Sequence, residues 1–192
     1  MFEEEIMAGK WVHLTEYEPE ENAAAEAAWT RDVRYRLLME FDHPREYTPA
    51  EIKKHYETGL EESNTSRRQF YFALRANMDN RLTGVFTIPG IEWSNRVAQI
   101  RLAFGDPLDL QNWGDDAFRL VLGYMFGELN LHQVVIHIPQ FYPEMVEAAE
   151  AAGLKLTVRR REAAYYNGSY WDDLHFTILR PDWLALKKGG RA

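Results

Sequence analysis

The period of apolar positions changes several times along this chain, and each change marks an element. Residues 11–15 (Trp-Val-His-Leu-Thr) alternate and predict a first strand. Pro19 ends it, and residues 20–29, with carboxylates first and alanines after, predict a helix. Residues 33–40 predict a second, shorter helix, and Pro44 punctuates the loop after it. Thr48-Pro-Ala-Glu51 has the order of a capping box with proline at the first helical position. The helix it opens places Ile52, His55 and Tyr56 on one face, ends near Gly59 and leaves residues 63–66 as a loop. Residues 69–77, 84–88 and 97–104 read as three strands of an antiparallel meander, with a connection at 91–95.

The stretch from Gly105 to Leu131 organises the rest. An apolar strand enters a loop, the loop turns at Gly114, and a helix follows with Ala117, Leu120, Val121, Tyr124 and Leu129 at helical spacing. The backbone N–H groups at such a junction form a ready anion site, although Asp115 and Asp116 equally suit the first turn of any helix. Next, residues 134–138 (Val-Val-Ile-His-Ile) predict a central strand buried on both faces. Residues 143–152 predict a helix closed by Gly153, and strands 156–166 and 170–179 meet at Asn167-Gly168, a strong hairpin signal. The order predicts a mixed α/β (α+β) domain over residues 10–184: a mostly antiparallel sheet with helices on its faces. Tails are expected at 1–9 and 185–192.

Composition narrows the function. The 192 residues suit one domain, and 46% hydrophobic with 14% aromatic residues describes a globular chain. A formal charge of −8 disfavours nucleic acid as the main partner and fits an amine-bearing substrate better. The absence of cysteine removes disulfides, thiolate metal sites and a cysteine nucleophile, and fits a cytoplasmic location. No apolar run reaches membrane-spanning length, and the acidic start does not resemble a secretory signal. The six histidines show no metal-ligand spacing, so no metal is expected, and there is neither a P-loop nor a GxGxxG fingerprint.

Certain residues in this order resemble the GNAT superfamily of acyl-CoA-dependent N-acetyltransferases, and within it the RimJ/RimL-type branch. They are Gly84, the run from Ala98 to Pro107, Trp113-Gly114, Ala117, and Tyr124-Met-Phe-Gly-Glu-Leu-Asn-Leu-His132. Ala148 to Leu154, Tyr166 to Asp172 and Asp182-Trp183 complete the set. The resemblance implies two central strands, 97–104 and 134–138, that splay into a cleft holding acetyl-CoA. The pantetheine arm would pair with Leu102, Ala103 and Phe104. The pyrophosphate would lie on Asp109, Leu110, Gln111, Asn112, Trp113, Gly114 and Asp115. In the family's Arg/Gln-x-x-Gly-x-Gly/Ala pattern, counting back from the helix end puts Gly114 at the last glycine. Asn112 then replaces the first glycine and Asp109 the Arg/Gln. Gln99 stands where many relatives carry a glutamate base, Tyr142 where they carry an Asn, and Ala149 where they carry a proton-donating Tyr.

Acetyl transfer to an amine needs a neutral amine, a polarised thioester carbonyl and a proton for the departing thiolate. One strand N–H can polarise the carbonyl. An α-amine, with a pKa of about 7.7–8.0 against about 10.4 for lysine, needs little help from a base. The candidate proton carriers are Glu92, His137 and Tyr142, each with a bland alternative: a solvated loop acid, a packed strand histidine, an aromatic contact. Trp93, Trp113, Tyr166, Tyr170 and Trp171 are candidates for an acceptor pocket, and Asp172 reads as a turn-stabilising residue. The expectation is an acetyl-CoA-dependent transferase acting on a small-molecule amine or a protein N-terminus, with an exposed hairpin that leaves room for a homodimer. The alternative is a non-catalytic relative that binds a ligand or partner in the same cleft.

Overall fold

Period-two burial defines the sheet. The computed structural model describes residues 8–41 and 45–189. The tail expected at 1–9 and the loop around Pro44 therefore lie largely outside the described residues. Seven strands run in the order β1-β2-β3-β4-β5-β7-β6. They are β1 (Val12–Glu16), β2 (Phe70–Ala76), β3 (Leu82–Glu92), β4 (Val97–Phe104), β5 (Gln133–Pro139), β6 (Lys155–Tyr166) and β7 (Ser169–Leu179). Among the described residues the helices are α1 (Pro19–Trp29), α2 (Val33–Leu38), α3 (Pro49–Ser66), α4 (Pro107–Gly123), α5 (Pro143–Ala151) and α6 (Arg180–Lys188). All pairings are antiparallel except β4 with β5. The result is the expected mixed, mostly antiparallel sheet with helices on its faces, and none of the helices is long and apolar enough to cross a membrane.

The parallel pair carries the geometry that matters. β4 and β5 pair only from Val97↔Gln133 to Ile100↔Ile136, and beyond Ile100 the two strands part. β4 stays bonded to β3 along Arg101↔Thr87 to Phe104↔Gly84, so its other edge faces the opening. Gly105 N–H donates to the Thr83 carbonyl at 2.9 Å, towards β3. Alternation along the strand then turns the N–H groups of Phe104 and Leu102 the other way, into the opening. A bulge lies in β3, where Ile88 and Pro89 together face Ile100, so β3 carries the extra residue. Gly84 is required opposite the β4 end, because a Cβ there would sit 2.4 Å from the Ala103 carbonyl oxygen.

Several local expectations hold. Thr48 and Glu51 form the reciprocal capping box of α3. Asn167 and Gly168 both have positive φ, at 50° and 80°, as a two-residue hairpin turn requires. Others need correction. Residues 63–66 are the last turn of α3, closed by Arg67 at φ 51°, with Ser63 Oγ donating to the Gln69 carbonyl at 2.5 Å. Residues 91–92 belong to β3, which the bulge lets run on. β5 is buried on one face only: Val134, Ile136 and Ile138 are at most 1% exposed, while Gln133, Val135 and His137 are half-buried. The short helix α2 packs against β4 and β5 without covering their whole second face. The chain also continues as α6 through Lys187 and Lys188, whose charges suit the last turn of a helix.

The largest correction concerns the stretch after β4. Residues 105–113 were expected as a loop, but α4 begins at Pro107, directly after the cap Asp106. Asp106 accepts the Leu108 N–H at 2.8 Å, and proline at the first position needs no hydrogen-bond partner. The Asp-Pro pair is the true helix start, and Gly114 is a mid-helix residue at the crossing with α5. A Cβ on Gly114 would lie 2.9 Å from Leu110 Cδ1 and 3.5 Å from Ala148 Cβ. The helix ends in a π turn, Tyr124–Glu128, closed by Leu129 N–H donating to the Tyr124 carbonyl at 3.1 Å.

Candidate active site

On the half-buried face, the side chains of Gln99 and Arg101 on β4 and His137 on β5 meet one carboxylate that sequence reasoning missed. Glu40 follows α2 and holds a left-handed φ of 54°, which folds its side chain back over the splay. Gln99 Nε2 donates to Glu40 Oε1 at 2.7 Å, and Arg101 pairs with the other carboxylate oxygen. His137 Nδ1 stands 3.8 Å from Glu40 Oε1. The position where the resemblance led to expect a strand carboxylate thus carries an amide that holds a carboxylate from another element. No sequence signal near Glu40 announces this, because the contact spans 59 residues.

Two cavities open on this face. One, of about 540 Å³, lies under α3 and is lined by His55, Gly59, Glu62, Tyr71, Thr87 and Arg101 among others. The second, of about 730 Å³, shares Gln69, Pro89 and Arg101 with it and continues past Gln99 and Val135 to Glu92. Burial and the nearby Arg101 charge push the His55 pKa down, and burial pushes the Tyr71 hydroxyl up. Among the described residues, Thr87 Oγ1 and Arg101 Nε have no hydrogen-bond partner.

The three expected proton carriers are not assembled in one place. Glu92 is exposed and accepts from Asn95 Nδ2 at 2.9 Å within its own turn. It pairs with Val97, four residues and roughly 13 Å along β4 from Arg101. His137 does reach the splay, where burial first, then the neighbouring His175, pull its pKa below the usual histidine range. Tyr142, 4% exposed, sits just past β5 with the Arg34 guanidinium 5.0 Å from its ring centre. Burial pushes its hydroxyl up to about 12, so it keeps its proton throughout the neutral range. Asp172 has the structural part expected of it: it accepts from Arg159 Nη1 at 2.7 Å and from Glu162 N–H at 3.0 Å in the β6 bulge. The aromatic candidates do not form one pocket. Trp93 donates to the Arg67 carbonyl at 3.1 Å, Trp113 lies under Arg81 at 5.6 Å, and Tyr166 stacks on Phe141 at 4.3 Å. Trp171 meets that same Phe141, and Tyr170 is 67% exposed.

For the acetyl-CoA implied by the resemblance, the two halves of the expected site test differently. The strand edge fits: Leu102 and Phe104 turn N–H groups into the opening beside the buried Ala103. The pyrophosphate cradle does not. Asp109, Leu110, Gln111, Asn112, Trp113, Gly114 and Asp115 are all inside α4, where the helix takes up their N–H groups. The acids there are also committed. Asp109, 6% exposed, receives a bidentate Arg81 at 2.8 and 3.0 Å. Asp115 pairs with Arg119 at 2.9 Å, and Asp116 accepts the N–H groups of Lys10, Trp11 and Val12. These aspartates tie α4 to its surroundings and leave no free anion nest at residues 109–115.

Comparison with known proteins agrees with this geometry at the level of the fold. Residues 12–155 match the family model described as an acetyltransferase (GNAT) domain. No curated protein matches the chain. Among solved structures, it is similar to the spermidine N-acetyltransferase of Vibrio cholerae in complex with CoA and spermine, at 20% identity and TM-score 0.75, covering 90% of this chain and 98% of that one. A probable acetyltransferase is similar at 18% identity and TM-score 0.74, covering 91% and 96%. A putative ribosomal-protein-serine acetyltransferase from Vibrio cholerae follows at 14% identity and TM-score 0.68, covering 90% and 96%.

Proposed function

The chain belongs to the GNAT acetyltransferase family, and from that premise we propose that it transfers an acetyl group directly from acetyl-CoA to a primary amine. The observation that carries this reading is the parting of β4 from β5 beyond Ile100, which leaves the Leu102 and Phe104 N–H groups facing the opening. Acetyl-CoA, when bound, supplies the activated thioester. The chain's own part is to hold that thioester against the β4 edge, where one of these N–H groups polarises its carbonyl. Glu40, held by Gln99 and Arg101, gives the face of the splay a carboxylate that attracts and orients an amine. Tyr142, protonated at neutral pH, would give its proton to the departing thiolate, and the proton that the amine loses on forming the amide would pass through water to restore it.

The same reading places the chain in the RimJ/RimL-type branch, in the cytoplasm, acting on a small-molecule amine or a protein N-terminus. The long outer strand β6 leaves Leu156 and Val158 43% and 48% exposed, which suits a second copy of this chain pairing there. The test is release of free thiol from acetyl-CoA in the presence of an N-terminal peptide, a diamine or an amino sugar. Amine-dependent release supports transfer. No binding of the thioester, or binding without release by any amine, favours the second reading, a non-catalytic relative that binds a ligand or partner in the cleft; the committed helix at residues 109–115 is the observation behind it.

A further inference from the structure

Cross-strand pairing brings together a side-chain set that neither the proposed transfer nor the spacing of the six histidines suggests. His137 of β5 lies directly opposite His175 of β7, and Asp173 is two residues along β7, on the same face. The two imidazoles stack with centroids 3.7 Å apart and planes 15° from parallel. Asp173 Oδ2 is 3.2 Å from His175 Nε2. One ligand atom from each of the three residues lies within 4.8 Å of the others. The His137 ring has no side-chain hydrogen bond among the described residues, and the Glu40 carboxylate approaches it at 3.8 Å. All three ligands are half-buried at the edge of the splay.

We propose that His137, His175 and Asp173 form a binding site for a divalent transition-metal ion, with Glu40 within reach as a fourth ligand. Two imidazole nitrogens with carboxylate oxygen suit Zn²⁺, Co²⁺ or Ni²⁺, whereas Mg²⁺ and Ca²⁺ prefer all-oxygen shells. Ligand atoms about 3.3 Å apart satisfy bonds of about 2.0–2.1 Å in a tetrahedral site. The closure needed is rotation of two imidazole rings that sit on rigid neighbouring strands. The chain has no cysteine to compete for the ion. His13 is already held between Asn77 and Asn80. Two sets of contacts oppose the ion: Arg160 Nη1 lies 3.3 Å from Asp173 Oδ2 and shares that carboxylate, and Gln99 and Arg101 hold the Glu40 carboxylate. An ion that draws Glu40 into its shell would also compete with an acceptor amine, a consequence that rests on the transfer proposed above; binding itself does not.

The test is titration of the chelator-stripped full-length chain with Co²⁺, followed by its visible absorption bands, and then displacement by Zn²⁺. One equivalent of Co²⁺ is expected, with affinity reduced at least about tenfold in His175→Gln and in His137→Gln. Arg160→Ala releases Asp173 and is expected to tighten binding severalfold, an increase that misfolding cannot imitate. No bands at millimolar Co²⁺, or bands unchanged in His175→Gln, overturn the site. Where the histidine variants fail to fold, Arg160→Ala decides alone: tighter binding supports the site and unchanged affinity overturns it.

Discussion

Glu26 should make this protein less stable as pH rises through neutrality. Its carboxylate is 0% exposed in the cluster between α1, α2 and α3. It accepts hydrogen bonds from the hydroxyls of Tyr17 at 2.6 Å, Tyr35 at 2.9 Å and Tyr56 at 2.8 Å. Burial raises its pKa from 4.5 to about 7, against the opposing pull of the three phenols. Burial and the nearby carboxylate also raise the pKa of each tyrosine, so all three stay donors. The folded value lies above the unfolded one, so the folded state holds the extra proton between them. The contribution is full below about pH 4.5 and is lost as pH climbs through about 7. A shift of 7 − 4.5 = 2.5 units corresponds to about 3 kcal/mol. The assay is urea unfolding of the native chain and Glu26→Gln from pH 5 to pH 8. The amide adds a donor among three phenols, an offset that does not vary with pH, and other titrating groups cancel in the difference. Relative to Glu26→Gln, the native chain should lose about 2.5 kcal/mol across that range, most of the full effect, because the unfolded carboxyl has already begun to ionise at pH 5. A difference that stays flat, or rises, refutes the buried-carboxylate reasoning.

Three further outcomes follow from contacts described above. Gly105→Ala should cost about 1–3 kcal/mol in urea unfolding, because the added Cβ would lie 1.9 Å from Cε2 of Trp29 and force the indole aside. Arg81→Ala should cost about 1–2 kcal/mol, since it leaves the nearly buried Asp109 without its bidentate partner, while the half-exposed arginine limits the loss. Acetyl-pantetheine should replace acetyl-CoA with less than about a tenfold loss in kcat/KM, because α4 takes up the N–H groups that would hold a pyrophosphate. A hundredfold preference for acetyl-CoA in steady-state thiol release would contradict that last reading.

The sheet and the hairpin were legible because they rest on local rules. Alternation marked β4 to the residue, and Asn167-Gly168 marked the turn between β6 and β7. The start of α4 is less legible, because Gly114 reads as punctuation while the cap signal that the helix uses is Asp106-Pro107. Gly114 answers to helix crossing, a packing requirement that resembles a turn requirement in one dimension. Long-range placement was not legible at all. Glu40 reaches Gln99 across 59 residues. His137 meets His175 only through the β5–β7 register, which no linear spacing of histidines displays. Glu92 looked well placed because it precedes β4, yet the antiparallel register sends it to the far end of that strand.

The central claim is that the parted strands hold an acetyl thioester for transfer to an amine. It is tested most directly by titrating the purified chain calorimetrically with acetyl-CoA, free CoA as control, and assaying the same sample for amine-dependent thiol release. The account predicts saturable binding of acetyl-CoA at submillimolar concentration and release of free CoA only when an amine is present. No binding at millimolar acetyl-CoA would contradict it, and the splay between β4 and β5 would then have to serve a different ligand.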